Sequence, residues 1–338
     1  MEKKPLLGAS LQELQEIVAE LGLPKFTAKQ LVEWIYLKRC PSFDLMTNLS
    51  KNTRAILDER FAVGLYAPEN VQTSSDGTKK YLFKVSEGYV ETAFIPERER
   101  ATLCVSCQVG CKMNCRFCQT GQQGFHGNLT AGEILNQIFS IPEYEQLSNF
   151  VFMERGEPMN NYDAVMRALE VMTSPWGLAM SPTRITVSTV GITPFMKRFL
   201  TETKCNLAVS LHSPFYEERV KIMPVERTFP LNEVLHALKQ HDWSGQRRLS
   251  FEYIVFKGLN DTPNHVRELA KQLGSLRCRV NLIRWHAVPD ADFQSPSTDE
   301  MVRFRDALNN KGIIATIRSS RGQDIDAACG LLSTKKMG

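Results

Sequence analysis

Five of the nine cysteines fall within fifteen residues, at positions 104, 107, 111, 115 and 118. The tightest run is Cys111-Lys112-Met113-Asn114-Cys115-Arg116-Phe117-Cys118, a CxxxCxxC. Three thiolates on one short loop can hold three corners of a metal site. Structural zinc takes four ligands, usually as two separated pairs, and no second CxxC or Cys/His pair follows at that spacing. A [4Fe–4S] cluster also normally takes four thiolates. Three leave one iron open to a substrate or cofactor, which predicts a reactive cluster rather than an electron carrier. The odd cysteine count in so long a chain does not read as a secreted disulfide framework.

Several elements must position that loop. The 338 residues allow about two domains. With 43% hydrophobic and 23% charged residues the composition is globular. No apolar run approaches the ~18–20 residues of a membrane span. The start, MEKKPLLGASLQELQ, lacks the apolar core of a secretory signal, so a cytoplasmic protein is expected. Lys plus Arg total 41 against 37 Asp plus Glu, a net charge of +4, which permits a nucleic-acid partner.

The first sixty residues read as helices. Ser10 and Glu13 form a capping box before the stripe Leu11, Leu14, Ile17, Val18 and Leu21. Thr27 is expected to cap a second helix with Leu31, Trp34 and Ile35 inward, and a third starts at Ser50. This unit is either a plain accessory domain or an RNA grip using Lys25, Lys29, Lys38 and Arg39. Residues 73–78 read as a linker, followed by a hairpin of Tyr81–Val85 and Tyr89–Ile95.

From about residue 100, strands alternate with helices. Expected strands are Thr102–Ser106, Phe150–Met153, Arg184–Thr189, Asn206–Leu211, Leu249–Val255, Val280–Ile283 and Ile314–Ile317. Expected helices are Glu133–Phe139, Tyr162–Met172, Pro194–Leu200, Leu231–Gln240, Asn264–Leu273 and Met301–Asn309. Such βα units imply an α/β fold with a parallel sheet, either an incomplete (β/α) barrel or a doubly wound open sheet. Polar residues recur at strand ends: Gly156-Glu157, Ser188, Ser210, His212 and His286. In a barrel those ends build the active site.

With Gly156-Glu157-Pro158 after the next strand, the CxxxCxxC resembles the radical S-adenosylmethionine (SAM) superfamily. A longer set of segments resembles the RlmN/Cfr family of RNA adenosine methyltransferases: Glu91-Thr92, Arg100–Ser106, the cysteine loop, Gln122–Phe125, Ser210-Leu211-His212 and Arg321–Gly330. The resemblance runs from the N-terminal helices to about residue 333. It implies residues 1–72 as a helical accessory domain, 73–100 as linker and hairpin, and 101–338 as a radical SAM partial barrel ending in a methyl-carrier segment.

The chemistry explains the equipment. Adenine C2 lies between two nitrogens and has no nucleophilic lone pair, so polar methyl transfer fails where radical addition succeeds. The resemblance implies a [4Fe–4S] cluster on Cys111, Cys115 and Cys118, with SAM on the open iron. Two SAM are consumed per turnover. One methylates Cys329; the other yields a 5′-deoxyadenosyl radical that takes hydrogen from that methyl group. The methylene radical adds to adenine, Glu91 removes the ring proton, and Cys104 attacks the Cys329 sulfur to release methylated RNA. Gly156, Glu157, Ser188, Ser210, Leu211, His212 and His286 are implied SAM contacts. Taken alone, Cys104 and Cys329 would read as packed thiols and Glu91 as a strand carboxylate.

Implied partners are 23S rRNA at the peptidyl-transferase centre, tRNA at the anticodon-adjacent adenosine, a flavodoxin- or ferredoxin-like reductant and a thiol reductant. No membrane is involved, and a monomer is expected. Lys112, Arg116, Arg318 and Arg321 lie near the motifs and could hold phosphates. The chain departs from the family where Glu154-Arg155 replace the common Gly-Met before Gly156, and where Cys107 stands at a usual Ser. The alternatives are the 8-methyladenosine branch of the family, an impaired iron–sulfur RNA-binding relative, and a thioredoxin-like use of Cys104 and Cys107. The last requires a CxxC at a helix N-terminus, whereas Cys104 is expected in a strand.

Overall fold

The computed structural model describes residues 3–288, 291–328 and 330. The chain opens with a two-residue strand, β1 (Lys4–Pro5), ahead of α1 (Leu11–Glu20). The capping box forms as expected: Ser10 Oγ accepts from the Glu13 amide at 3.1 Å, and Glu13 Oε2 accepts from the Ser10 amide at 2.7 Å. The second helix, α2 (Thr27–Val32), runs on into a π-helical turn at Glu33–Leu37. Thr27 does not cap it. Phe26 precedes it with φ −68° and ψ −17°, already helical, so the extended geometry that lets a side chain cap is missing. Ser50 caps α3 (Lys51–Arg60) as expected. Then β2 (Phe61–Ala62) pairs parallel with β1.

Residues 73–78 are no linker. They turn a hairpin between β3 (Asn70–Thr73) and β4 (Lys79–Val85), and β4 pairs antiparallel with β5 (Gly88–Pro96). Next comes β6 (Ala101–Cys104), antiparallel to β5. A side hairpin of β7 (Gln108–Gly110) and β8 (Phe125–Asn128) encloses the cysteine loop and the short α4 (Gln119–Gln122).

The βα units follow: α5 (Ala131–Phe139), β9 (Leu147–Phe152), α6 (Tyr162–Thr173), β10 (Ile185–Thr189), α7 (Thr193–Glu202) and β11 (Asn206–Ser210). After these come α8 (Tyr216–Ile222), α9 (Leu231–Lys239), β12 (Leu249–Val255), α10 (Pro263–Leu273), β13 (Cys278–Arg284), α11 (Thr298–Asn309) and β14 (Ala315–Ile317). Sequence periodicity missed α8.

One ten-stranded sheet runs β14-β13-β12-β11-β10-β9-β6-β5-β4-β3. From β6 to β14 every pairing is parallel. Strand order follows chain order with no reversal, which excludes the doubly wound alternative. The outer strands β14 and β3 do not pair, so the barrel is incomplete. The apolar core is continuous. Leu14 and Tyr36 belong to the same cluster as Ile138 and Phe139 of α5, and the Tyr36 and Phe139 rings meet at 6.2 Å.

Candidate active site

Backbone geometry shapes the cysteine loop. Gly110 has φ +78°, and a Cβ there would stand 1.9 Å from the Gly124 carbonyl oxygen, so only glycine closes this hairpin. The Cys111 amide donates to Gly124 O at 2.9 Å, and the Cys118 amide to Cys115 O at 3.1 Å. Cys111, Cys115 and Cys118 line one cavity of about 150 Å3 at the carboxyl ends of the strands.

Gly156, Glu157, Ser188, Ser210 and His212 line the same cavity. Among the described residues no trio of Cys, His, Asp or Glu is close enough to clasp a single metal ion. Three thiolates facing one cavity suit a cubane, which takes one thiolate on each of three irons and leaves the fourth iron open. Burial pushes the Cys111 thiol up to about 12 and the Cys115 thiol well up. Thiolates buried here call for a strongly positive partner, which an iron cluster supplies.

The strand ends are locked by buried polar contacts. Gly156 has φ +106°, and an added Cβ would meet the Gln108 side chain at 2.6 Å. Glu157 Oε2 accepts from the Val190 amide at 2.9 Å and Oε1 from the Met159 amide at 3.1 Å. Its carboxylate therefore ties the loop after β9 to the end of β10. Burial raises its pKa to about 7, against hydrogen bonds from Thr189, Val190 and Met159.

Arg219 on α8 is fully buried. Its Nη2 donates to Val190 O and Ser210 O, each at 3.0 Å, and its Nε to Leu211 O at 3.0 Å. Its Nη1 pairs with buried Glu226. This guanidinium fixes the ends of β10 and β11, where the SAM-contact candidates sit. Leu211 itself is fully buried and does not line the cavity.

His212 sits at φ +57°. The Ile254 amide donates to its Nδ1 at 2.9 Å, and its ring meets Phe117 of the cysteine loop edge-on at 4.6 Å. Burial, and then the Arg219 charge, lower its pKa to about 3. An imidazole in the unfolded chain titrates near about 6.5. Stability from the neutral ring is therefore full above about pH 6.5 and is lost as pH falls toward 3, at up to about 1.4 kcal/mol per pH unit. Acid titration followed by circular dichroism should show wild type losing stability between pH 6.5 and 5, with a clearly shallower loss in His212→Gln, where the lowered pKa values of His241 and His286 still act. A parallel loss in both proteins would refute the assignment.

Glu91 and Cys104 lie on neighbouring strands, β5 and β6, both buried. Glu91 meets Lys80 Nζ at 3.3 Å. Burial raises the Glu91 pKa, opposed by Lys80 and Arg155. Ser106 Oγ donates to Glu91 O at 2.5 Å, and Gln137 of α5 bonds both Ser106 and Thr92, bracing the strand pair. The unusual residues belong to this group. Glu154 shares a hydrogen bond with Cys104, and burial and then Glu91 push its carboxyl well up. Arg155 is buried, with Nη2 donating to Gln123 Oε1 at 2.8 Å. Cys107 is a free thiol, and Cys104 ends a strand, not a helix.

Cys329 lies outside the described residues. The described residues before and after it in the chain are anchored. Asp324 accepts from Ser74 Oγ at 2.5 Å and from the Ser75 amide at 3.0 Å, while Asp76 Oδ2 accepts from the Gly322 amide at 3.0 Å. Gly330 O accepts from the Gln119 amide at 3.0 Å, and Gly330 lines the cysteine cavity.

His286 lies apart from that cavity, lining a second one and bonding Ser320 Oγ at 2.8 Å. Lys112 sits over the Phe125 ring at 4.3 Å and Arg116 near Phe293 at 5.9 Å. Arg318 meets Glu252 at 3.3 Å and Arg321 faces Asp76 at 3.9 Å. Of the N-terminal cations, Lys38 pairs with Glu33 and Arg39 with Glu145, while Lys25 and Lys29 are exposed. Sequence reading missed Arg219, Glu252 and Asn281. For Glu252 on β12 and Asn281 on β13, bonded to each other at 2.8 Å, the available signal was a polar residue inside strands whose parallel pairing favours apolar runs; Arg219 on α8 carried none.

Residues 105–273 match the radical SAM superfamily, so fold and cysteine loop together define a radical SAM enzyme. Residues 4–63 match the ribosomal RNA large subunit methyltransferase N-terminal domain. A probable dual-specificity RNA methyltransferase RlmN of Parabacteroides distasonis is 54% identical over 99% of this chain and 98% of its own. The dual-specificity RNA methyltransferase RlmN of Syntrophus aciditrophicus is 41% identical over 100% of this chain and 98% of its own. The crystal structure of a radical SAM methyltransferase from Sphaerobacter thermophilus superposes with a TM-score of 0.93 at 39% identity, covering 98% and 100% of the two chains. The chain belongs to the RlmN family of radical SAM RNA methyltransferases. No helix among the described residues is long and apolar enough to cross a membrane.

Proposed function

We propose that the protein methylates C2 of an adenosine in the peptidyl-transferase region of 23S rRNA and of the anticodon-adjacent adenosine in tRNAs. The observation that carries this reading is the common cavity of Cys111, Cys115, Cys118, Gly156, Glu157 and Gly330, with Glu91 and Cys104 on the adjoining strands. A [4Fe–4S] cluster and SAM, bound there, would supply the radical that activates a methyl group on Cys329, with two SAM used per turnover. Cys111, Cys115 and Cys118 would hold the cluster; Gly156, Glu157, Ser188, Ser210 and the backbone around Leu211 and His212 would seat SAM.

His286 belongs with the neighbouring cavity in this reading. Glu91 accepts the proton from the ring carbon; burial raises its pKa, which makes it a stronger base than an exposed carboxylate. Cys104 opens the bond between carrier and RNA. A flavodoxin- or ferredoxin-like reductant and a thiol reductant complete the cycle, and the protein acts as a cytoplasmic monomer.

The test is a nucleoside digest. The protein is reconstituted anaerobically and incubated with SAM, reductant and an rRNA fragment spanning the peptidyl-transferase loop, and the digest is read by mass spectrometry. 2-Methyladenosine is expected, absent with Cys329→Ala and reduced about 10²–10⁴-fold with Glu91→Gln. 8-Methyladenosine would assign the other branch. No methylated base from protein with an intact cluster would refute the reading and point to Glu154 and Arg155.

A further inference from the structure

Below the cysteine cavity the barrel wall encloses a second chamber of about 480 Å3. Its floor is cationic. Arg184 immediately precedes β10, Arg248 immediately precedes β12, and Arg279 is the second residue of β13. All three line the chamber and are exposed. Among the described residues, none has a carboxylate within ion-pairing distance. The one carboxylate in the lining, Glu97, is already paired with Arg100. Unbalanced guanidiniums on a concave wall concentrate positive potential, and their planar forks suit phosphate.

The roof is the second observation. Ala327 and Ala328 line this lower chamber, whereas Gly330 lines the cysteine cavity above. Residues 327–328 and residue 330 therefore face different chambers. Arg318 and Ile283 line both, so the spaces adjoin. A chamber of this size falls in the range of about 300–1,000 Å3 that seats a small ligand. It has room for a single extruded nucleotide, not a duplex.

We propose that RNA enters the barrel from the amino ends of the strands, opposite the cysteine loop. Arg184, Arg248 and Arg279 hold the phosphodiesters flanking the target nucleotide. SAM then occupies the upper cavity and RNA the lower one. This inference rests on the RNA-methylating reading above.

The test is the affinity of the reconstituted protein for the same rRNA fragment as a function of salt. It uses Arg184→Gln, Arg248→Gln, Arg279→Gln and the triple variant. RNA-independent reductive cleavage of SAM serves as the check on folding and on the upper cavity. Each single variant should weaken RNA binding about tenfold and lower the slope of log affinity against log salt by about 0.7–0.9. SAM cleavage should stay within twofold of wild type. Arg248→Lys should keep the slope while losing part of the affinity.

Unchanged RNA affinity and slope in the triple variant would overturn the proposal. So would RNA binding that persists while affinity for inorganic tripolyphosphate is lost, which would mark a free-anion site. If wild type binds the fragment through these arginines but methylates nothing, the catalytic reading fails and the chamber assignment holds. If the triple variant binds and methylates like wild type, the chamber assignment alone fails.

Discussion

Cys104→Ala protein should stop before completing one turnover, with its RNA still covalently attached. In the proposed cycle the Cys104 sulfur attacks the carrier sulfur. One S–S bond forms as the bond between that sulfur and the RNA-linked carbon breaks. Without the thiol, the carbon–sulfur bond has no partner that cleaves it. Cys104 is 5% exposed on β6, so solution thiols should not substitute efficiently. A species resistant to denaturant, with the summed mass of protein and RNA, is expected in gels and mass spectrometry. Cys104→Ser should trap the same species, because a hydroxyl cannot form the disulfide. Free methylated RNA in multiple-turnover amounts from either variant would remove Cys104 from the cycle.

Arg219→Met should destabilise the fold by about 3–5 kcal/mol, because it strands a buried Glu226 carboxylate. It also removes donors to three backbone oxygens at the ends of β10 and β11. Denaturant titration of the apoprotein reads the first effect, and SAM affinity of the folded fraction reads the second. The double variant Arg219→Met, Glu226→Leu should recover most of the stability, since a neutral packed pair carries no desolvation penalty. SAM affinity should stay low in that double variant, because the backbone oxygens remain undonated. A single variant as stable as wild type would refute the account.

Arg219 also shows what sequence pattern conceals. In Tyr216-Glu217-Glu218-Arg219-Val220-Lys221-Ile222 it reads as one more charge on a polar stretch. Its burial depends on residues 190, 210 and 226, which no local window contains. The alternation of strands and helices was legible because each βα unit carries its own apolar period, and the cysteine loop because its chemistry is local. The 73–78 stretch misled for the opposite reason. Its polar residues are those a tight hairpin needs, and only the sheet reveals that the chain stays within one layer. Thr27 misled because a good capping residue is useful only where the preceding backbone is extended. The carboxylate pair of Glu91 and Glu154 was invisible because it is formed across β5, β6 and the loop after β9.

The anchors at residues 322–324 and 330 close very long loops. Asp324 and Gly322 dock on the turn at residues 74–78, and Gly330 docks beside Cys118. Ser74 and Asp324 stand 250 positions apart. The entropy of closing such a loop grows only with the logarithm of its length, so two short contacts suffice to hold it. Undocking both would leave the barrel strands paired while removing Gly330 from the wall of the cysteine cavity. That gives an iron–sulfur donor a way in that needs no unfolding of the sheet.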